Sequence, residues 1–186
     1  VVEVHEVFRY DALKLKEHGN QKGQLHRINR FSEEETKSLR ELMECSHPDW
    51  EVLFHLYHDR KMNPMSFLKS EQFLNILTES CLEKYPYIAF ADAFHTMRSM
   101  LLPVLYLLGS EVPLADTYHA ISTGYGGLLA CLGGYVYRRP VLLTEHGIYT
   151  REREEEIIRA KWVIPSFKKQ WISFFYMLSE AIYKRA

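Results

Sequence analysis

The fold turns on residues 116–147. They read Asp116-Thr117-Tyr118-His119-Ala120-Ile121-Ser122-Thr123-Gly124-Tyr125-Gly126-Gly127, then Leu128 to Tyr137, then Arg138-Arg139-Pro140-Val141-Leu142-Leu143-Thr144-Glu145-His146-Gly147. Positions 117–137 carry no formal charge if His119 is neutral, and such a run is long enough to span a bilayer. Its content argues against a membrane helix. Thr117, His119, Ser122 and Thr123 are polar, and Gly124, Gly126, Gly127, Gly133 and Gly134 punctuate the run. It reads instead as a strand over 117–122, a glycine turn, and a buried helix over about 126–137 closed by Arg138-Arg139-Pro140. A second strand follows at 141–144, a short apolar run of the kind expected in a buried parallel strand. Strand, glycine turn, helix and strand make a βαβ unit.

Helical signals surround this unit. Ser32 followed by Glu35 has capping-box spacing and opens a charged helix to about Met43. Trp50, Leu53, Phe54 and Tyr57 recur at helical spacing. Phe67, Leu74, Leu77 and Cys81 predict one face of a helix over about 66–84. Phe94, Met97, Leu101, Val104, Leu105 and Leu108 predict another from about Ala89, ended by Gly109. Pro103 should kink or interrupt it, because proline removes an amide donor and crowds the preceding turn. Trp171, Phe174, Phe175, Leu178 and Ile182 mark a last helix entered at Pro165-Ser166. Residues 1–31 are weakly patterned. Val1, Val2, Val4, Val7 and Phe8 suit an edge strand or an extended arm, and Gly19 to Gly23 a polar loop.

Composition bounds the function. The 186 residues are 47% hydrophobic and 25% charged, with a net charge of -1, so the chain has enough apolar surface to fold. No Lys/Arg run forms a basic arm, which argues against nucleic acid as a partner. Cys45, Cys81 and Cys131 are odd in number and far apart, with no CxxC pair. They fit a reducing, cytoplasmic compartment and neither a disulfide framework nor a zinc knuckle. The chain starts at Val1 and stops inside a helical pattern at Ile182 to Ala186, so both ends read as cut.

Two constellations can carry chemistry. The first is the turn from His119 to Gly127. Glycines between a strand and a helix let a ligand approach the backbone, and free amides at the helix start suit phosphate or sugar hydroxyls. In open α/β sheets, ligands sit at the carboxyl ends of strands, where His119, Ser122, Thr123, Gly124 and Gly126 fall. The same glycines can equally serve only tight strand–helix packing. The second is Thr144 to Ile157. Glu145 and His146 end the second strand, and Gly147 permits a sharp exit. A histidine here can donate to a sugar oxygen or stabilise charge in a transition state. Arg151 and Arg153 match phosphate or carboxylate oxygens, whereas Glu154 to Arg159 reads as a solvated helix start. His55-x-x-His58-Asp59 has one-turn spacing for a metal but no third ligand nearby, so a plain helix surface is the better reading and no metal is expected.

Asp116-Thr117-Tyr118-His119-Ala120, the glycine turn and Arg139-Pro140-Val141-Leu142-Leu143-Thr144-Glu145-His146-Gly147 together resemble the N-terminal domain of family 4 retaining glycosyltransferases. The string from Thr144 through Ile157 is similar to the PelF-like branch, bacterial enzymes associated with exported polysaccharide. The helix Trp171 to Ala186 also fits that branch. The match covers about 115–186. The resemblance implies an α/β fold with a Rossmann-like parallel sheet and a large helical portion, part of the N-terminal half of a GT-B fold. Residues 1–186 would form one incomplete acceptor-side domain, with a helical portion over 32–108 and a Rossmann-like portion over 115–186.

The resemblance implies transfer of sugar from a nucleotide sugar, commonly a UDP sugar, to a saccharide acceptor, with retention and without a metal or other cofactor. His146 would point at the transferred sugar. His119, Ser122, Thr123, Gly124, Gly126, Glu145, Gly147, Tyr149, Arg151 and Arg153 would line the substrate side. The family's donor-contacting glycine loop and nucleotide-binding C-terminal domain are not among these residues, so the chain is expected to be inactive alone. A cytoplasmic location, peripheral to the inner membrane beside a polysaccharide-export complex, fits the same reading. A reading from another class also stands. Residues 32–108 could form a non-catalytic helical scaffold whose aromatic stripes dock a membrane-protein partner.

Overall fold

A computed structural model describes residues 31–186. The expectations for the first thirty residues, including the arm at Val1 to Phe8 and the loop at Gly19 to Gly23, lie outside the described residues. The architecture is mostly helical with one small parallel sheet, an α/β arrangement. The elements are α1 (Glu33–Glu44), α2 (Trp50–Phe54) running on into a π turn (His55–Asp59), α3 (Pro64–Leu68), α4 (Glu71–Lys84) and α5 (Phe90–Leu108). Then come β1 (Tyr118–Ala120), α6 (Tyr125–Tyr137), β2 (Val141–Leu143), α7 (Tyr149–Arg159), a 3-10 turn (Pro165–Phe167) and α8 (Lys168–Tyr183).

Local chemistry explains the helix starts. Ser32 Oγ accepts the Glu35 amide at 3.1 Å, and the Glu35 carboxylate accepts the Ser32 amide at 2.8 Å, completing the capping box. Asp49 caps α2 and Asn63 caps α3. The single helix expected over 66–84 is two. Ser70 Oγ donates to the Phe67 carbonyl and accepts the Phe73 amide, ending α3 and starting α4. That break shifts the buried face of α4 to Phe73, Ile76 and Leu77, while Leu74 is exposed. α5 runs through Pro103 without interruption. Its half from Met100 to Leu108 is buried on nearly all sides, and the helix packs against α1, α3, α4, α6 and the π turn, so its surroundings hold it across the missing amide donor.

The hydrophobic core is one cluster. Trp50, Phe54, Tyr57, Phe67 and Phe73 are buried in it, joined by the α6 residues Leu128, Cys131 and Leu132 and the α8 stripe Trp171, Phe174, Leu178 and Ile182. The three cysteines are unpaired. Burial pushes the Cys45 thiol up to about 12 and the Cys131 thiol to about 11, so both stay protonated at neutral pH. Among the described residues no helix is long and apolar enough to cross a membrane.

β1 and β2 pair in parallel, with Tyr118 opposite Val141, His119 opposite Leu142 and Ala120 opposite Leu143. The Thr144 amide extends the ladder by donating to the Ala120 carbonyl at 2.9 Å. Helix α6 connects the strands and covers one face of the pair, on which Tyr118 and Ala120 are buried. The other face carries His119 and Leu142, both exposed. The expectation that Val141 to Thr144 is buried on both sides is therefore corrected. Leu142 is 53% exposed, because α6 covers only the face from which its side chain points away.

Candidate functional site

The carboxyl ends of β1 and β2 lie side by side, and the two sequence constellations meet there. Thr123 Oγ donates to Glu145 Oε1 at 3.2 Å. Ser179 Oγ, buried on α8, donates to Thr123 Oγ at 2.7 Å. Tyr183 of α8 donates its hydroxyl to the other Glu145 oxygen. That bond to a carboxylate, with lesser help from burial, pushes the Tyr183 phenol up to about 12. Glu145 thus has both oxygens engaged and ties the turn, the strand end and α8 together. His119 Nε2 and Thr144 Oγ share a hydrogen bond of 2.9 Å across the exposed sheet face.

The glycines divide by role. Gly124 has φ of 95°, and a Cβ built on it would lie 2.5 Å from the Tyr149 ring. A Cβ on Gly127 would meet Ile182 at 2.8 Å and the Ser122 carbonyl at 2.9 Å. On Gly133 it would meet the Tyr118 ring at 2.5 Å. These three serve packing. Gly126 is different: it is exposed, at the first turn of α6, and a Cβ there would meet nothing within 4 Å. Gly147 leaves room for the Glu152 carboxylate, which would lie 2.5 Å from an added Cβ.

The remaining predicted residues fall around this cluster. His146, after β2, is exposed, with no hydrogen bond or ion pair to the described residues, and Ser122, after β1, is half-buried. Tyr149 packs edge-on against Phe175, at 6.0 Å between ring centroids, and lies under the Arg153 guanidinium at 5.3 Å. Arg153 also pairs with Glu156 at 2.7 Å, and Arg151 with Glu155 at 3.7 Å. Arg151 is thus engaged within the first turns of α7 in the manner of a solvated helix start, whereas Arg153 pairs through a terminal nitrogen and leaves its Nε buried without a hydrogen-bond partner among the described residues. The part of the site left free to meet a ligand is narrower than the predicted set: His146, Ser122, the open backbone at Gly126, and the exposed edge of His119. Sequence reasoning missed Ser179 and Tyr183. Both sit in the α8 pattern as one more small residue and one more aromatic, with no motif marking them. Among the described residues no group of three or more His, Cys, Asp or Glu is arranged to hold a metal ion.

The whole chain, residues 1–186, matches the family model described as a domain of unknown function, DUF3492. The chain belongs to that family. No curated protein and no solved structure matches it.

Proposed function

We propose that this chain is the acceptor-side part of a retaining glycosyltransferase. In this reading the enzyme moves a glycosyl unit from a nucleotide sugar, a UDP sugar, to a saccharide acceptor in bacterial polysaccharide synthesis. The observation that carries it is the parallel register of β1 on β2. It brings the glycine turn and the Glu145-His146-Gly147 corner to one sheet end, where α/β proteins bind ligands. The family's association with glycosyltransferase-like N-terminal domains supports it further. The fold is then the Rossmann-like N-terminal half of a GT-B enzyme of the PelF-like branch. It works in the cytoplasm, peripheral to the inner membrane and beside an export complex, and a second domain supplies most contacts to the nucleotide.

The chemistry follows from what is free and what is tied. His146 donates a hydrogen bond to the transferred sugar as charge develops at the anomeric carbon, needing no metal. Free amides at the start of α6, beside Gly126, take oxygens of the acceptor or of a phosphate. Glu145 acts as a positioning residue, holding the corner that presents His146. The aromatic stripes on which a helical docking module would depend, Trp50/Phe54/Tyr57 and Phe67/Phe73, are buried in the core, so the catalytic reading is the better supported.

The test is His146→Ala in an enzyme containing this chain. Turnover of a UDP sugar is expected to fall by about 10²–10³ in kcat with donor KM changed much less, as when one preorganised donor is removed. Near-normal turnover would remove the role.

A further inference from the structure

A second feature lies at the opposite end of β2, beyond Val141. A cleft of about 660 Å³ opens there between the end of α6, the start of β2 and the π turn, with Glu51, Asp59, Tyr135, Arg138, Arg139 and Arg185 on its walls. That volume is within the roughly 300–1,000 Å³ typical of small-molecule sites.

The charges in it do not cancel. Arg185 pairs with Glu51 at 2.5 Å and lies over the Phe54 ring at 5.0 Å. Asp59 is satisfied three times over: Tyr135 donates its hydroxyl at 2.7 Å, and His58 and His55 turn Nδ1 to the carboxylate at 2.9 and 3.1 Å. Partial burial would raise the Asp59 carboxyl, but the hydrogen bonds from His58, Tyr135 and His55 outweigh it and hold it near 2. Asp59 therefore has both oxygens engaged, and Glu51 gives one of its oxygens to Arg185. The side chains of Arg138 and Arg139 make no hydrogen bond or ion pair with the described residues, and both residues are exposed.

Two further details point the same way. Arg138 closes α6 in the left-handed region, φ 51°, where glycine is the residue without steric cost. A long cation stands there instead. The other wall is a π turn, a form of helix that recurs at functional sites, and its wider winding sets His55 and His58 on the same carboxylate.

We infer that this cleft binds a phosphate-bearing small molecule, its phosphate held by Arg138 and Arg139. Arg138 and Arg139 are consecutive in the chain and both line the cleft, so their guanidinium groups bring fork-shaped donors and two positive charges to one dianion, which a single carboxylate would not use. Tyr135 and Val141 give the organic part of the ligand an apolar wall. The site stands independently of the glycosyltransferase reading, since none of its residues belongs to the carboxyl-end cluster.

The experiment is titration calorimetry of the full chain with phenyl phosphate, alongside sedimentation with phosphatidylcholine vesicles with and without phosphatidic acid. Phenyl phosphate is expected to bind the unmodified chain, and the R138Q/R139Q variant to lose about tenfold or more. The K69Q/K169Q variant removes two exposed charges elsewhere and should stay within about twofold. Arg138→Gly keeps the cap geometry, so its thermal midpoint should equal or exceed that of the unmodified chain while affinity falls. Binding of phenyl phosphate assigns the site to a soluble phosphate ester. Binding of phosphatidic acid vesicles alone, lost in R138Q/R139Q, assigns it to a lipid headgroup. No binding of either probe, or equal loss in K69Q/K169Q, overturns the proposal.

Discussion

At Gly124 the backbone lies in the left-handed region and the Tyr149 ring occupies the space a side chain would need. Two residues on, at Gly126, a side chain would point into open solvent. The same residue type therefore answers two different demands within one turn. Gly124→Ala is expected to cost about 1–3 kcal/mol, read as a lower thermal midpoint. Gly126→Leu should leave the midpoint equal or slightly higher, since leucine favours helix over glycine by up to about 1 kcal/mol. In an enzyme containing the chain, the same Leu should impair acceptor binding, measured as a raised acceptor KM. Unfolding on Gly126→Leu would return that glycine to a packing role. In sequence the two glycines could not be told apart, because the difference lies in φ and in Tyr149, 25 residues downstream. Glu145 teaches the same lesson: its place at a strand end marked it for a ligand, and its two oxygens turned out to be taken by Thr123 and Tyr183.

Among elements, α1 was the most readable, because everything that starts it is local. Ser32 and Glu35 exchange their bonds within one turn. Glu35 is buried and also pairs with Arg60 after α2, so the cap joins the first helix to the next layer. Ser32→Ala should destabilise the chain by about 1 kcal/mol in urea unfolding with an unchanged m-value. A changed m-value would show that the substitution alters more than the cap. The segment 66–84 was less readable. Its apolar spacing tolerates one helix, and only the side chain of Ser70, bonded in both directions, splits it. Where tertiary burial is strong a proline need not end a helix, as Pro103 inside α5 demonstrates.

Over the whole molecule, α8 is the part that makes the site one piece. Ile182 fills the space above Gly127, Ser179 bonds Thr123, and Tyr183 bonds Glu145. A helix some fifty residues downstream of the glycine turn thus sets its shape. Ser179→Ala removes a buried donor at a cost of about 1 kcal/mol. Amide hydrogen exchange should then quicken over residues 121–127 and near Glu145, while α1 to α5 stay as protected as before. Uniform loosening of the chain would instead assign Ser179 to the general core.

The sequence by itself determined the βαβ order, the glycine turn, the capping box that opens α1 and the two strand ends that carry Ser122 and His146. These depend on residue type, spacing and backbone preference, all of which act over a few residues. Only the tertiary structure decided which candidate side chains are free. Thr123, Glu145, Arg151 and Arg153 are engaged, whereas His146 and Gly126 are open. It also joined Tyr135 to Asp59, 76 residues apart, and left the side chains of Arg138 and Arg139 at a cleft with no hydrogen bond or ion pair among the described residues. The physical reason is that a hydrogen bond or ion pair is settled by distance in space, and packing brings distant parts of the chain together in ways no local pattern records.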